Sequence, residues 1–150
     1  ALQGNSEVYD FPRPMIHSDN LDMSLSGLKT AVLYTVQKIE NLNDVAKADV
    51  AASFQKAVTD VLIAKTKKTI ELTKRTDVII AGGVAANKYI RSKFKQLEDR
   101  MQIKVYYPDL KYCGDNAAMI AFVGSMMKPS EYDNKISKVR ARWPLNELEK

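Results

Sequence analysis

A single cysteine, Cys113, in a chain of 150 residues excludes an internal disulfide framework and a zinc site built on several cysteines. The single histidine, His17, lies in a polar segment. The sequence has no HExxH motif, and no second histidine from which a Ser-His-Asp set could be assembled. Six glycines and five prolines are too few for a fibrous or low-complexity chain. No apolar run approaches the ~18 residues that argue for a membrane span. No charged-then-apolar leader is visible, so a soluble protein of a reducing compartment is expected. Neither sign of charge dominates: 23 basic against 18 acidic residues leave +5. That excess permits an anionic partner but says little for nucleic acid by itself. What remains is a chain of one-domain length whose 45% apolar content suffices for a core.

Four stretches follow in order: an extended or irregular segment over 1–27, a helical part over 28–76, strand–helix–strand–helix over 77–128, and a tail over 129–150. Phe11-Pro12-Arg13-Pro14 forbids a helix, because proline lacks a donor and pushes its predecessor toward extended geometry. Met23-Ser24-Leu25-Ser26-Gly27 alternates as a short half-buried strand does. Leu28, Val32, Val36 and Ile39 form one helical stripe, broken at Asn41-Leu42-Asn43-Asp44. A long second helix, capped by Asp49 or an earlier residue, carries Val50, Phe54, Ala57, Val58, Val61 and Leu62. It is expected to meet the sheet through Val50, Phe54, Val58 and Val61. Val78-Ile79-Ile80-Ala81 reads as a strand buried on both faces. Ile90, Phe94, Leu97 and Met101 then recur at helical spacing, and Ile103, Val105 and Tyr107 alternate as a second strand. Ala117 to Met127 is apolar nearly all round, as a central helix is. The order of elements is that of an α/β protein.

Two places invite chemistry. At Gly82-Gly83 a buried strand ends in residues without Cβ atoms, and a helix starts within a few positions. The backbone there can approach a ligand, and free N–H groups with the helix dipole favour an anion. Asn87 stands where its amide can reach a ribose or phosphate; a tight turn with Asn87 as a cap is the plainer alternative. The pattern is neither a P-loop nor the three-glycine dinucleotide fingerprint. At Asp115-Asn116 a carboxylate heads the apolar helix, where the dipole stabilises its charge. A single carboxylate cannot hold a metal alone, so spacing favours a simple N-cap. Cys113 reads as a small buried side chain, and Met119, Met126 and Met127 as core. Lys88, Arg91, Lys93, Lys95 and Arg100 read as a solvated helix face, with a phosphate-tracking role as the alternative. Arg140 and Arg142 beside Trp143 suit either a docked tail or a nucleic-acid contact.

Taken together, Phe11-Pro-Arg-Pro-Met15, Ser24-Leu-Ser-Gly-Leu-Lys-Thr30, Ala51-Ala-Ser-Phe-Gln55, Ala81-Gly-Gly-Val-Ala-Ala-Asn87, Asp115-Asn-Ala-Ala-Met-Ile-Ala121 and Ala141-Arg-Trp-Pro144 resemble, in order, the TsaD family. These are the bacterial-type tRNA threonylcarbamoyladenosine transferases, once named glycoproteases. Met23 and Leu25 stand where the family usually has phenylalanine, and Gly114 where it usually has threonine. The resemblance covers only the carboxy-terminal portion of a family about twice this length.

The resemblance implies the second lobe of an actin-like, sugar-kinase/Hsp70-type ATPase fold, incomplete without the upstream lobe. It implies transfer of a threonylcarbamoyl group from its adenylate to N6 of adenosine 37 in ANN-decoding tRNAs. By matching positions, Asn87 holds the threonylcarbamoyl-adenylate or ATP, Gly82 and Gly83 bring backbone against the adenosine, and Asp115 completes the site of one divalent metal, iron or zinc. The family's metal-binding histidine pair lies upstream, and His17 does not match it. No residue is identified as general base. The implied partners are tRNA and TsaB-like and TsaE-like proteins, in the cytoplasm, or in mitochondria for a eukaryotic protein. No membrane is implied. An exposed half-cleft would favour self-association, and the chain alone is expected to be inactive. A non-catalytic interaction or dimerisation module of the same fold is the alternative; a glycopeptidase finds no protease chemistry here.

Overall fold

A computed structural model describes residues 1–126. The readings placed on Met127, on the tail from Ser130 and on Arg140, Arg142 and Trp143 lie outside those residues. The chain forms two units, residues 1–115 and a second beginning at Asn116.

Helix α1 spans Leu28–Gln37 and starts from Gly27, whose φ of +81° suits a residue without Cβ. Leu28 is buried, and Val32, Val36 and Ile39 pack into the same cluster, so the predicted stripe faces a core. Ahead of it no strand forms. Met23 and Leu25 are 56% and 48% exposed, because no neighbouring strand takes up their hydrogen bonds. Instead the Ser26 N–H donates to Ser24 Oγ at 3.0 Å and turns the chain into α1.

Helix α2, Asp44–Thr73, has 30 residues and is roughly 45 Å long at ~1.5 Å per residue. Its cap is Asn43, whose Oδ1 accepts the Ala46 N–H at 2.9 Å. Asp49 is thereby free for another task, accepting the N–H of Asn5 at 2.7 Å. Ser53 accepts from the N–H of Tyr9 at 3.3 Å, and Asp60 accepts from Arg13 Nε at 2.8 Å. Positions 49, 53 and 60 share one side of a helix, so the irregular segment from Asn5 to Arg13 lies along α2 on a polar stripe. Gly4 belongs to this docking: a Cβ there would collide with the Ala48 carbonyl. The Asp60 hydrogen bond outweighs burial and holds the Arg13 guanidinium above its ordinary pKa.

Strands β1 (Asp77–Ile79) and β2 (Lys104–Tyr106) pair in parallel with Val78 opposite Val105, and helix α3 (Lys88–Met101) makes the crossover. This is a mixed α/β protein with a small parallel sheet. Ile90, Phe94 and Leu97 of α3 join Ile70, Ile103 and Val105 in one core cluster, with Val78, Ile80 and Met101 packed against it. Burying a side chain such as Phe94 contributes about 1.5–3 kcal/mol.

Two further expectations, both about the sheet, need correction. Among the described residues the sheet is covered on one face only, and Ile79, on the other, is 77% exposed. A short apolar run is compatible with one or two buried faces, and both covering helices lie on the side of Val78 and Ile80. Nor does the first half of α2 meet the sheet. Val50 and Ala57 pack with Phe11 and Leu28, Val58 lies against that cluster, and Phe54 is 40% exposed. Only the second half, through Leu62, Ile63 and Ile70, reaches the sheet cluster. The helix is too long for one partner.

In the second unit, Ala117–Met126 forms α4. The Met119 N–H donates to Asn116 Oδ1 at 3.1 Å, so Asn116 supplies a side-chain cap. No described helix is long and apolar enough to cross a membrane.

Candidate ligand cleft at the strand ends

Parallel pairing puts the carboxyl ends of β1 and β2 on the same edge. In open α/β sheets, that edge is where ligands bind. Gly82-Gly83 follows β1 there. Gly82 has φ +85° and ψ 175°, a conformation open essentially to glycine alone. Gly83 differs. It opens a 3-10 turn, Gly83–Ala86, without a positive φ, and a Cβ added to it would meet nothing within 4 Å. Packing among the described residues therefore gives no reason for glycine at 83. The space beside it is a cleft of about 450 Å³.

Leu25, Phe54, Gln55, Val84 and Asn87 share the walls of this cleft with Gly83. Segments 24–30, 51–55 and 81–87, distant in sequence, thus converge on one volume. Most of its wall is apolar, and the polar side chains are Gln55 and Asn87. Asn87 is both cap and wall. Its Oδ1 accepts the Ile90 N–H at 3.0 Å to start α3, and its Nδ2 donates to Gln55 Oε1 at 2.9 Å. The plain reading of Asn87 as a cap is right but incomplete, because the amide also faces the cleft. Gln55 carries no local signal in sequence. Only the folded arrangement of α2 against the turn reveals it.

Arg91 ties the two loops of this edge together. Its guanidinium donates to the Ala85 carbonyl, to Pro108 O at 3.1 Å and to Cys113 Sγ at 3.4 Å. It also lies 4.9 Å from the centre of the Tyr107 ring. Burial is the main reason that the Tyr107 hydroxyl titrates above its ordinary value; the Arg91 charge opposes the shift. Arg91 is therefore no solvated face residue. Cys113 is 3% exposed, as expected of a small buried side chain.

Asp115 follows two positions after Cys113 and is exposed. His17 is exposed in the distant 15–22 segment. Among the described residues no three His, Cys, Asp or Glu side chains form a group that could hold a metal ion. The residues present do not make up the implied metal site by themselves.

Comparison with known proteins adds the final observation. The profile of TsaD, tRNA N6-adenosine threonylcarbamoyltransferase, matches residues 1–122. The protein of that name from Thermosipho africanus is 51% identical over 83% of this chain and 37% of its own length. Those from Neisseria meningitidis and Methylobacillus flagellatus are 40% and 43% identical over 99% and 100% of the chain, and 47% and 45% of their own lengths. The chain spans less than half the length of these curated relatives.

Proposed function

Because this chain belongs to the TsaD family of tRNA N6-adenosine threonylcarbamoyltransferases, we propose that its cleft forms one wall of an adenylate site for tRNA modification. The reaction is transfer of a threonylcarbamoyl group from threonylcarbamoyl-adenylate to N6 of adenosine 37 in ANN-decoding tRNAs. The observation that carries this reading is Gly83: no neighbour lies within 4 Å of where its Cβ would be, and the space opens beside the Asn87 amide. A glycine that packing among the described residues does not require, at the carboxyl edge of a parallel sheet, suits close approach by a ligand.

In this reading Asn87 gives a polar contact to the adenylate, and Gly82-Gly83 let the backbone come against the adenosine. The apolar wall of Leu25, Phe54 and Val84 excludes water around it. The chain's part in the rate is binding and orientation of the acyl donor for the tRNA amine. Asp115 is one carboxylate toward the divalent iron or zinc of the complete enzyme, whose site the described residues do not assemble.

The reading makes the chain the second lobe of an actin-like, sugar-kinase/Hsp70-type fold, acting in the cytoplasm with tRNA and TsaB-like and TsaE-like partners. The exposed Ile79, on the sheet face that no described residue covers, supports a lobe that packs on more protein, and self-association when it does not. The test is calorimetry with ATP on the full-length protein. Asn87→Ala should weaken binding by about 1–2 kcal/mol, the worth of one polar contact. Unchanged affinity would return Asn87 to the role of a cap.

A further inference from the structure

The orientation of two amides at the cleft wall is forced by one helix N–H. The Ile90 N–H can only be met by an oxygen, so Asn87 must turn Oδ1 toward α3 and Nδ2 away from it. Nδ2 then donates to Gln55, which must answer with Oε1 at 2.9 Å. That leaves Nε2 as the other end of the Gln55 amide, in a side chain that lines the cleft. Among the described residues, no hydrogen-bond partner takes it up. One N–H of Asn87 and both N–H groups of Gln55 Nε2 are left over. All are donors, and no charged side chain lines this cleft.

We propose that Gln55 is a second ligand-binding residue of this cleft, donating from Nε2 to an oxygen of the bound molecule while its Oε1 holds the Asn87 amide in place. A carbonyl, carboxylate or phosphoryl oxygen of a ligand finds these donors at the wall. The inference rests on the adenylate reading above, and names a residue that donates to a ligand oxygen at this wall. Its place in sequence explains why it is hidden: Gln55 is an ordinary helical residue until α2 is laid against the turn at Gly83.

The experiment compares Gln55→Leu, Gln55→Glu and Asn87→Ala in the full-length protein, by calorimetry with ATP and by thermal midpoint. Gln55→Leu removes the donors and the acceptor. Gln55→Glu keeps an acceptor for Asn87 but replaces the donors with a charge facing ligand oxygens. If Gln55 donates to the ligand, Gln55→Leu loses about tenfold in affinity, the size of one neutral hydrogen bond, and Gln55→Glu loses at least as much at an unchanged thermal midpoint. If Gln55 only supports the cap, Gln55→Glu binds like the parent while Gln55→Leu does not, and the inference is overturned. Should Gln55→Leu fail to fold, Gln55→Glu carries the test alone. The Asn87→Ala arm separates the two levels. Parent affinity there would overturn the adenylate reading itself, whereas weakened Asn87→Ala beside parent-like Gln55→Glu overturns only the role given to Gln55.

Discussion

Lys65 Nζ lies 2.7 Å from Ser18 Oγ, across 47 residues of sequence, and the lysine is only 2% exposed. The same ammonium donates to the carbonyls of Ser18 and Asn20 at 3.1 and 2.9 Å. Its hydrogen bonds all go to neutral oxygens. Such a group can stay buried because each of its three protons has an acceptor. Lys65 therefore clamps the segment 18–20 onto the middle of α2.

Replacing Lys65 by methionine keeps the stem and removes the clamp. Hydrogen bonds from a charged donor are worth about 1.5–3 kcal/mol, and the abandoned carbonyls add to the loss. Urea unfolding should show a drop of at least that size, and limited proteolysis should cut near 18–22 before the rest of the chain. A variant as stable and as resistant as the parent would mean that the clamp is ornamental.

Two phenylalanines on neighbouring helices should respond differently. Phe94 is 4% exposed in the cluster that joins α3 to the sheet, and Phe94→Ala should cost about 3–5 kcal/mol. Phe54, at 40% exposed on the cleft wall, should cost clearly less, with any loss falling on ligand binding. Thermal midpoints of the two variants decide the matter; equal losses would show that Phe54 is packed more tightly than its exposure indicates.

Glu98 gives the chain an acid-sensitive contact. The Lys95 ammonium at 2.7 Å, and then the Val105 N–H at 3.1 Å, hold its carboxyl below the usual value of 4.5. A depressed carboxyl contributes stability above its unfolded pKa and loses it as pH falls through the folded one. The parent should therefore lose stability below 4.5 more steeply than Glu98→Gln, whose amide does not titrate. Parallel curves of stability against pH would refute the assignment.

In the proposed reading Asp115 is a single carboxylate toward the metal, and among the described residues no three His, Cys, Asp or Glu side chains group to hold an ion. This chain alone should retain no stoichiometric divalent metal after dialysis and should transfer no labelled threonylcarbamoyl to tRNA. One bound ion per chain, or turnover without the upstream half, would place the active site elsewhere.

Local periodicity makes the helices and the βαβ core legible in the sequence. Ile90, Phe94 and Leu97 are buried at the spacing that predicts it, and Ile103 and Val105 are buried while Lys104 and Tyr106 are not. Partner-dependent features are not legible. Whether Ile79 is covered depends on what lies over the second face, and the alternation of Met23 and Leu25 yields a strand only beside another strand. Arg91, Lys65 and Gln55 read as ordinary polar helix positions, because their partners lie outside their own helices, 6 to 47 residues away. The candidate cleft is half legible. Gly82, Gly83 and Asn87 follow a strand in one short segment, whereas the wall supplied by α2 exists only after folding.

The central claim is that the space beside Gly83 belongs to a nucleotide rather than to the protein. Gly83→Val in the full-length protein tests it most directly, since an added Cβ meets no protein atom within 4 Å. Thermal midpoint and ATP affinity are measured on the same sample. The account predicts a midpoint close to the parent with binding reduced tenfold or more, about 1.4 kcal/mol or greater. Undiminished ATP binding by a folded Gly83→Val protein would contradict it.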